Sequence, residues 1–159
     1  MNKILTIGFI VCLFFSIGIA NGQVISWTAI ESLKDSLRSN PKPIMVFIHT
    51  DWCKYCKMQE NITFQKPKVA GLLSKNFYCI KINAESEEEL VFLGRKYKPG
   101  KSGDYHSLAK MLGTNNGRLL FPTTVFYAPL SQTFERLQGL QTAKVLERFF
   151  TEHGMEFDE

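Results

Sequence analysis

The chain has no run of lysine and arginine, no internal repeat and, past its first twenty residues, no long apolar stretch. Each shortage removes a class of protein. A net charge of only +4 without a basic cluster gives no electrostatic footprint for nucleic acid. Without a repeat, 159 residues allow one ordinary domain. Four cysteines and three histidines leave few ligands for zinc, which takes four protein ligands or three and a water. What is present suits a packed core: 45% of residues are apolar and 21% charged.

The start of the chain reads as a secretory signal. Lys3 supplies a basic beginning, Ile4 to Ile19 is a nearly continuous apolar run, and Ala20-Asn21-Gly22 offers small residues for cleavage after Gly22. The competing reading is an uncleaved anchor, for which the run is short. Cys12 lacks the small residues before it that a lipid-modified signal needs. The expected arrangement is residues 1–22 as signal peptide and residues 23–159 as a single domain. Export gives a periplasmic protein if the source is a Gram-negative bacterium and a secreted one otherwise. Either compartment permits disulfides, and Cys53, Cys56 and Cys79 remain after cleavage.

The mature part alternates strand and helix patterns. A short β-like start at Val24–Trp27 precedes a helix through Ile30, Leu33 and Leu37. Ile44–Ile48 is apolar without alternation, as in a strand buried on both faces. His49-Thr50-Asp51 brings the chain to the surface, with Thr50 or Asp51 able to cap the helix that follows. A second strand spans Phe77–Ile82. Glu85–Tyr97 reads as a helix with acids in its first turn, with Leu90, Phe92, Leu93 and Tyr97 as buried candidates. Lys98–Asp104 is loop-like. A short helix from His106, a strand at Thr123–Tyr127, a return strand at Gln132–Leu137 and a final helix through Leu146 and Phe150 complete the order. This is an α/β sandwich with parallel strands first and a hairpin last.

Cys53-Lys54-Tyr55-Cys56 sits between the first central strand and its helix. Residues at i and i+3 share a helix face, so the two thiols can close and open a small disulfide. A cysteine at a helix N-terminus meets unsatisfied N–H groups that favour its thiolate, and Lys54 and Lys57 add positive charge. The bland alternatives are a permanent disulfide and half a zinc site. Cys79 lies in an apolar strand, where a free thiol packs as a small hydrophobe; a regulatory or intermolecular thiol is the other reading.

Pro43-Ile44-Met45-Val46 leading into Asp51-Trp52-Cys53-Lys54-Tyr55-Cys56-Lys57, then Lys81-Ile82-Asn83-Ala84, Phe121-Pro122-Thr123-Thr124-Val125-Phe126 and Gly139 together resemble a thioredoxin-fold protein. The similarity runs from Ile25 to His153. Asp51-Trp52-Cys53 with Thr63-Phe64 is most similar to the C-terminal periplasmic domain of DsbD-type thiol:disulfide interchange proteins. The resemblance implies a central mixed sheet flanked by helices and an exported thiol–disulfide oxidoreductase acting on protein thiols and disulfides, in the reductase direction. Cys53 is then an exposed nucleophile, Cys56 the resolving thiol, Pro122 a cis proline beside them, and Trp52, Phe121 and Pro122 a substrate-binding rim. It implies no cofactor or metal, a monomer, no nucleic acid, and a membrane electron donor as a candidate partner. A disulfide oxidase or isomerase, or a non-catalytic adaptor with a structural disulfide, are the alternatives.

There are two departures. Phe47 stands where thioredoxins commonly carry a buried acid that moves a proton for the second cysteine. His49, two residues on and on the same strand face, is the candidate for tuning in its place, along with Lys57; the bland reading of His49 is a hydrogen-bonded residue at a strand end. The segment around 85–105 is longer than in a minimal thioredoxin and is expected to add a helix and a loop.

Overall fold

The computed structural model describes residues 24–155; the expected signal segment lies outside them. The centre is β1 (Ile44–His49), whose first five residues are all buried. Such a strand needs cover on both faces and a neighbour on both edges. Its neighbours are β2 (Tyr78–Asn83), parallel, and β5 (Thr123–Ala128), antiparallel, and the latter pairs with β6 (Thr133–Gln138) as a hairpin. The sheet order is β2-β1-β5-β6. This is the central mixed sheet that the resemblance implies; it has four strands, and the β-like start at Val24–Trp27 is not one of them.

Alternation along β1 divides the core in two. Met45 and Phe47 face a layer built by α3 (Pro67–Asn76) and α5 (Ala143–Glu152), through Val69, Leu73, Leu146 and Phe150. Ile44, Val46 and Ile48 face α1 (Leu33–Ser39) and α4 (Ser107–Gly113), through Leu33, Leu108 and Leu112. Phe126 anchors the first layer, its ring 4.9 Å from Phe149 and 5.5 Å from Phe150. Trp27 is half-buried and forms an isolated parallel bridge with Cys79 of β2.

The insertion is where structure and expectation part. Residues Glu85–Tyr97 are not a helix. They hold turns and then a two-stranded antiparallel ribbon, β3 (Leu90–Phe92) and β4 (Arg95–Tyr97). Leu93 and Gly94, at φ 52° and 83°, form the two-residue connection between them. Two successive positive φ values suit the right-handed twist of a hairpin and cannot continue a helix. The acids that suggest a helix start are used otherwise: Asn83 Oδ1 accepts from the Glu85 N–H at 2.9 Å, Ser86 Oγ from Glu88 N–H, and Glu89 pairs with Lys96 across the ribbon. Phe92 is buried, but Leu93, at the turn, is exposed. After the ribbon, Gly100 lets the loop fold on itself; a Cβ there would collide with the backbone carbonyls of Asp104 and Tyr105.

His106 holds this insertion to the domain. It is buried at the N-cap of α4, not on the surface. Its Nδ1 accepts from the Leu108 N–H at 3.1 Å, which leaves Nε2 to donate to the Glu88 carbonyl at 3.1 Å. Its backbone N–H donates to Ala84 O at 2.7 Å. Burial holds its pKa below 6.5 against the raising effect of the Glu88 and Tyr97 carbonyls, and protonating Nδ1 would remove the cap. The folded state therefore resists a proton that the unfolded chain accepts near pH 6.5, so stability is retained above that pH and falls as the pH drops below it. Thermal unfolding measured across pH 7.5 to 5 is expected to show this loss. His106→Asn, which keeps a cap acceptor worth about 1 kcal/mol, is expected to flatten the profile.

Candidate functional site around Cys53 and Cys56

β1 ends at His49, and within four residues the chain starts α2 (Lys54–Met58). Neither Thr50 nor Asp51 caps this helix. Cys53 does: it has extended backbone at φ −72°, ψ 104°, and its Sγ accepts from the Cys56 N–H at 3.0 Å. Cys53 and Cys56 are joined in a disulfide with Cα atoms 5.2 Å apart. With the bond closed, both are buried: Cys53 is 4% exposed and Cys56 1%. Cys53, expected to be exposed, is instead covered, its Sγ bonded to Cys56 and accepting from the Cys56 N–H at the helix start. What separates the two is position, with Cys53 at the cap and Cys56 one turn inside.

The register of β1 with β5 builds the opposite wall. Ile48 pairs with Thr123, which places Pro122 beside the end of β1. The Phe121–Pro122 peptide bond is cis. The Pro122 carbonyl accepts from the Gly139 N–H at 2.7 Å, and Gly139 adopts φ 85°, a conformation that favours glycine. Trp52 rises at the rim, its ring edge-on to Phe121 at 6.1 Å, and Phe121 is edge-on to Tyr105 at 4.9 Å. Trp52 Nε1 donates to Glu85 Oε1 at 2.9 Å. The insertion therefore supplies two of the contacts that fix the rim.

Below the pair the floor is aromatic. Phe47 shares a core cluster with both cysteines and packs edge-on against Phe64 at 5.1 Å. His49 stacks on Phe47, ring centroids 5.8 Å apart and planes 16° from parallel. Burial lowers the His49 pKa, opposed in part by Glu60, so the ring is held neutral. Glu60 is ion-paired with Lys81, whose ammonium lies 4.6 Å from the centre of the Trp27 ring. Lys57 is exposed in the last turn of α2 and has no ion pair among the described residues.

Two features escape a reading of the sequence. The helix after Met58 widens into a π turn, Gln59–Thr63, closed by a Phe64 N–H bond to Gln59 O at 2.9 Å. Gln59 is fully buried and binds outwards from that turn: Nε2 donates to Thr124 Oγ1, and Oε1 accepts from the Gln141 N–H, both at 2.8 Å. Thr63 Oγ1 donates to Gln141 O at 2.8 Å. These bonds tie the cysteine-bearing helix to β5 and to the loop before α5. A glutamine three residues after Cys56, on the same inward helix face, is the one signal for it in the sequence.

Cys79 is apart from this site. It is buried in β2 with Sγ 3.6 Å from Leu73 O, and burial pushes its pKa up to about 12. A thiol so protonated is inert. In the reduced, folded chain, iodoacetamide is expected to modify Cys53 and spare Cys79 until denaturant is added, as peptide mass mapping can report.

The comparisons agree with this geometry. The family described as thioredoxin-like matches residues 26–129. The DsbD thiol:disulfide interchange protein of Pectobacterium atrosepticum is 34% identical over 65 residues, covering 40% of this chain. That of Campylobacter jejuni strain RM1221 is 31% identical over 62 residues, covering 38%. Each match spans only 11% of the relative's own length. Among solved structures, a thioredoxin from Thermus thermophilus superposes with a TM-score of 0.57 at 19% identity, covering 83% of this chain and 88% of that one. The oxidised DsbD C-terminal domain of Neisseria meningitidis gives 0.50 at 17%, covering 79% and 97%. With residues 26–129, well over half of the chain, matched by the family, the chain belongs to the thioredoxin-like family.

Proposed function

We propose that this chain is an exported thiol–disulfide oxidoreductase that reduces disulfides in protein substrates. The observation that carries the reading is the Cys56 N–H aimed at Cys53 Sγ from the first turn of α2. A donor fixed on that sulfur stabilises a thiolate more than a thiol, because hydrogen bonds to charged acceptors are the stronger ones. Cys53 is therefore the nucleophile. Its thiolate attacks a substrate disulfide, forms a mixed disulfide and releases one substrate thiolate. The Cys56 thiolate then attacks Cys53 Sγ and releases the second. Two electrons pass from the pair to the substrate, and the Cys53–Cys56 disulfide is left.

Trp52, Phe121 and Pro122 frame the approach to the pair and form the substrate-binding rim. The reductase direction is supported by the likeness of the Asp51-Trp52-Cys53 stretch to DsbD proteins. It requires a dithiol donor to restore the pair, for which a membrane partner is the candidate. A reduction potential near the thioredoxin value of about −270 mV fits this direction, and one near about −120 mV would make the chain an oxidase.

Cysteine substitutions separate the roles. Cys53→Ser is expected to abolish exchange, and Cys56→Ser to accumulate mixed disulfides through Cys53, seen as reductant-sensitive adducts on non-reducing gels. A biological function that survives Cys53→Ser would instead make the chain a non-catalytic adaptor, with a disulfide that is only structural.

Cys56 must shed its proton over a floor without a carboxylate. His49, stacked on Phe47 on the same side of β1 with burial favouring its neutral form, is the nearby imidazole we assign to this tuning role. His49→Gln is expected to slow resolution of the mixed disulfide about tenfold or more, within the range of general-base effects, while the first attack is spared. Stopped-flow Trp fluorescence resolves the two steps, and equal slowing of both would remove His49 from proton transfer.

A further inference from the structure

From Met58, two residues past Cys56, the surface opens into a cleft of about 310 Å³ to which the insertion contributes no lining residue. Met58, Ile62, Leu140 and Ala143 give it an apolar floor, and Lys66 and Lys144 stand on its edges. Met58 and Ile62 are 42% and 53% exposed although their neighbours Gln59 and Thr63 are buried. The π turn fixes that division, since Gln59 and Thr63 are held inwards by hydrogen bonds to β5 and to Gln141. The same bonds pin the Gln141 backbone and so hold Leu140 in the opposite wall. Leu140 follows Gly139, whose N–H is bound to the Pro122 carbonyl. The cleft therefore runs on from the proline that faces the cysteines and has a rigid frame.

Its charge has one sign. No carboxylate lines it among the described residues, and neither Lys66 nor Lys144 is engaged in an ion pair there. Glu60, on the same helical stretch, is committed to Lys81. Both α3 and α5 begin at the cleft, capped by Lys66 and Thr142, so their positive dipole ends add to the lysines.

Resting on the oxidoreductase reading, we infer that this cleft docks the segment flanking the disulfide of a protein substrate, and that the preferred segment carries an apolar side chain followed by acidic residues. The apolar residue covers Met58, Ile62 and Leu140, while the carboxylates meet Lys66 and Lys144. Exchange proceeds by the same step: the reduced pair gives two electrons to the docked disulfide, and dithiothreitol restores the pair as it closes to its own cyclic disulfide.

The test uses two synthetic peptides, each a single disulfide loop flanked on both sides by Leu-Glu-Glu or by Leu-Lys-Lys, with neutral 2-hydroxyethyl disulfide as a third substrate. The ratio of kcat/KM between the peptides is read within each protein. In the wild-type chain at low salt the acidic peptide is expected to be favoured about tenfold, falling towards parity in high salt. Lys66→Glu combined with Lys144→Glu is expected to invert the ratio, and Ile62→Ser to lower kcat/KM for both peptides while the preference stays. Equal rates for the two peptides, or a preference that ignores the lysine reversals, overturns the docking while reduction of 2-hydroxyethyl disulfide continues. If that small disulfide is reduced no faster by the wild-type chain than by Cys53→Ser, the oxidoreductase reading itself fails.

Discussion

The structure depends on one constraint: β1 is buried on both faces and paired on both edges, so it can deliver functional residues only at its end. Pairing in register with β2 and β5 leaves no freedom in where that end lies. A one-residue slip would exchange Met45 and Phe47 with Val46 and Ile48 across the sheet, moving each into a core shaped for the other. Two segments distant in sequence therefore meet at fixed places. The chain leaving β1 becomes the cysteine loop, and the chain entering β5 becomes Pro122. Both sides of the site follow from one hydrogen-bond register, and neither depends on a loop finding its place unaided.

The same strand explains the character of the floor. Position 47 faces the layer that holds both cysteines. Phe47 fills it by packing with Phe64 and Trp27, which gains contact area and gives up a titratable group. A carboxylate there would be costly unless satisfied, whereas an aromatic ring stabilises the cluster and leaves proton handling to groups nearer solvent. The charges lie further out: Glu60 pairs with Lys81, whose ammonium sits over the Trp27 ring, and both act on His49 through space. Opposing effects of Glu60 and Lys81 on the imidazole leave desolvation in control, which is why it stays neutral.

What was legible in the sequence had a strong local period or a strong local chemistry. The unbroken apolar run of Ile44–Ile48 could only be a doubly covered strand, and a cysteine pair after it could only sit at a helix start. Phe121-Pro122 before Thr123–Tyr127 belongs to the same class, although its meaning came from family resemblance. The insertion was misread because Glu85–Glu89 suits the first turn of a helix and only Leu93-Gly94 argues against one. Leucine at positive φ carries no signature in sequence, and short strands of three residues barely alternate. His106 is hidden for a similar reason: a histidine capping a helix from a buried position looks, in sequence, like any polar residue before an apolar run. Gln59 gives the clearest case of information that is not local. Its partners lie 65 and 82 residues away, so nothing near it reveals why a buried amide is tolerated.

That amide also decides how the two flanks of the site differ. On the insertion side, Trp52 is held by Glu85 and Phe121, Phe121 packs in turn on Tyr105, and the rim is assembled from large rings with the Trp52 N–H engaged. On the other side, Gln59 and Thr63 satisfy the backbone of Gln141 from within, which allows the outer surface to remain apolar and unpartnered between free lysines. Leaving a buried donor or acceptor without its partner costs about 1–3 kcal/mol. A loop fixed by several such bonds can therefore hold half-buried Leu140 opposite exposed Met58 and Ile62 without collapsing over them. A flexible loop would close on Met58 and Ile62 and hide them. Rigidity behind the cleft is thus the condition for apolar exposure in front of it, and it keeps that surface, with its two lysines, on the helical stretch whose first turn carries the disulfide.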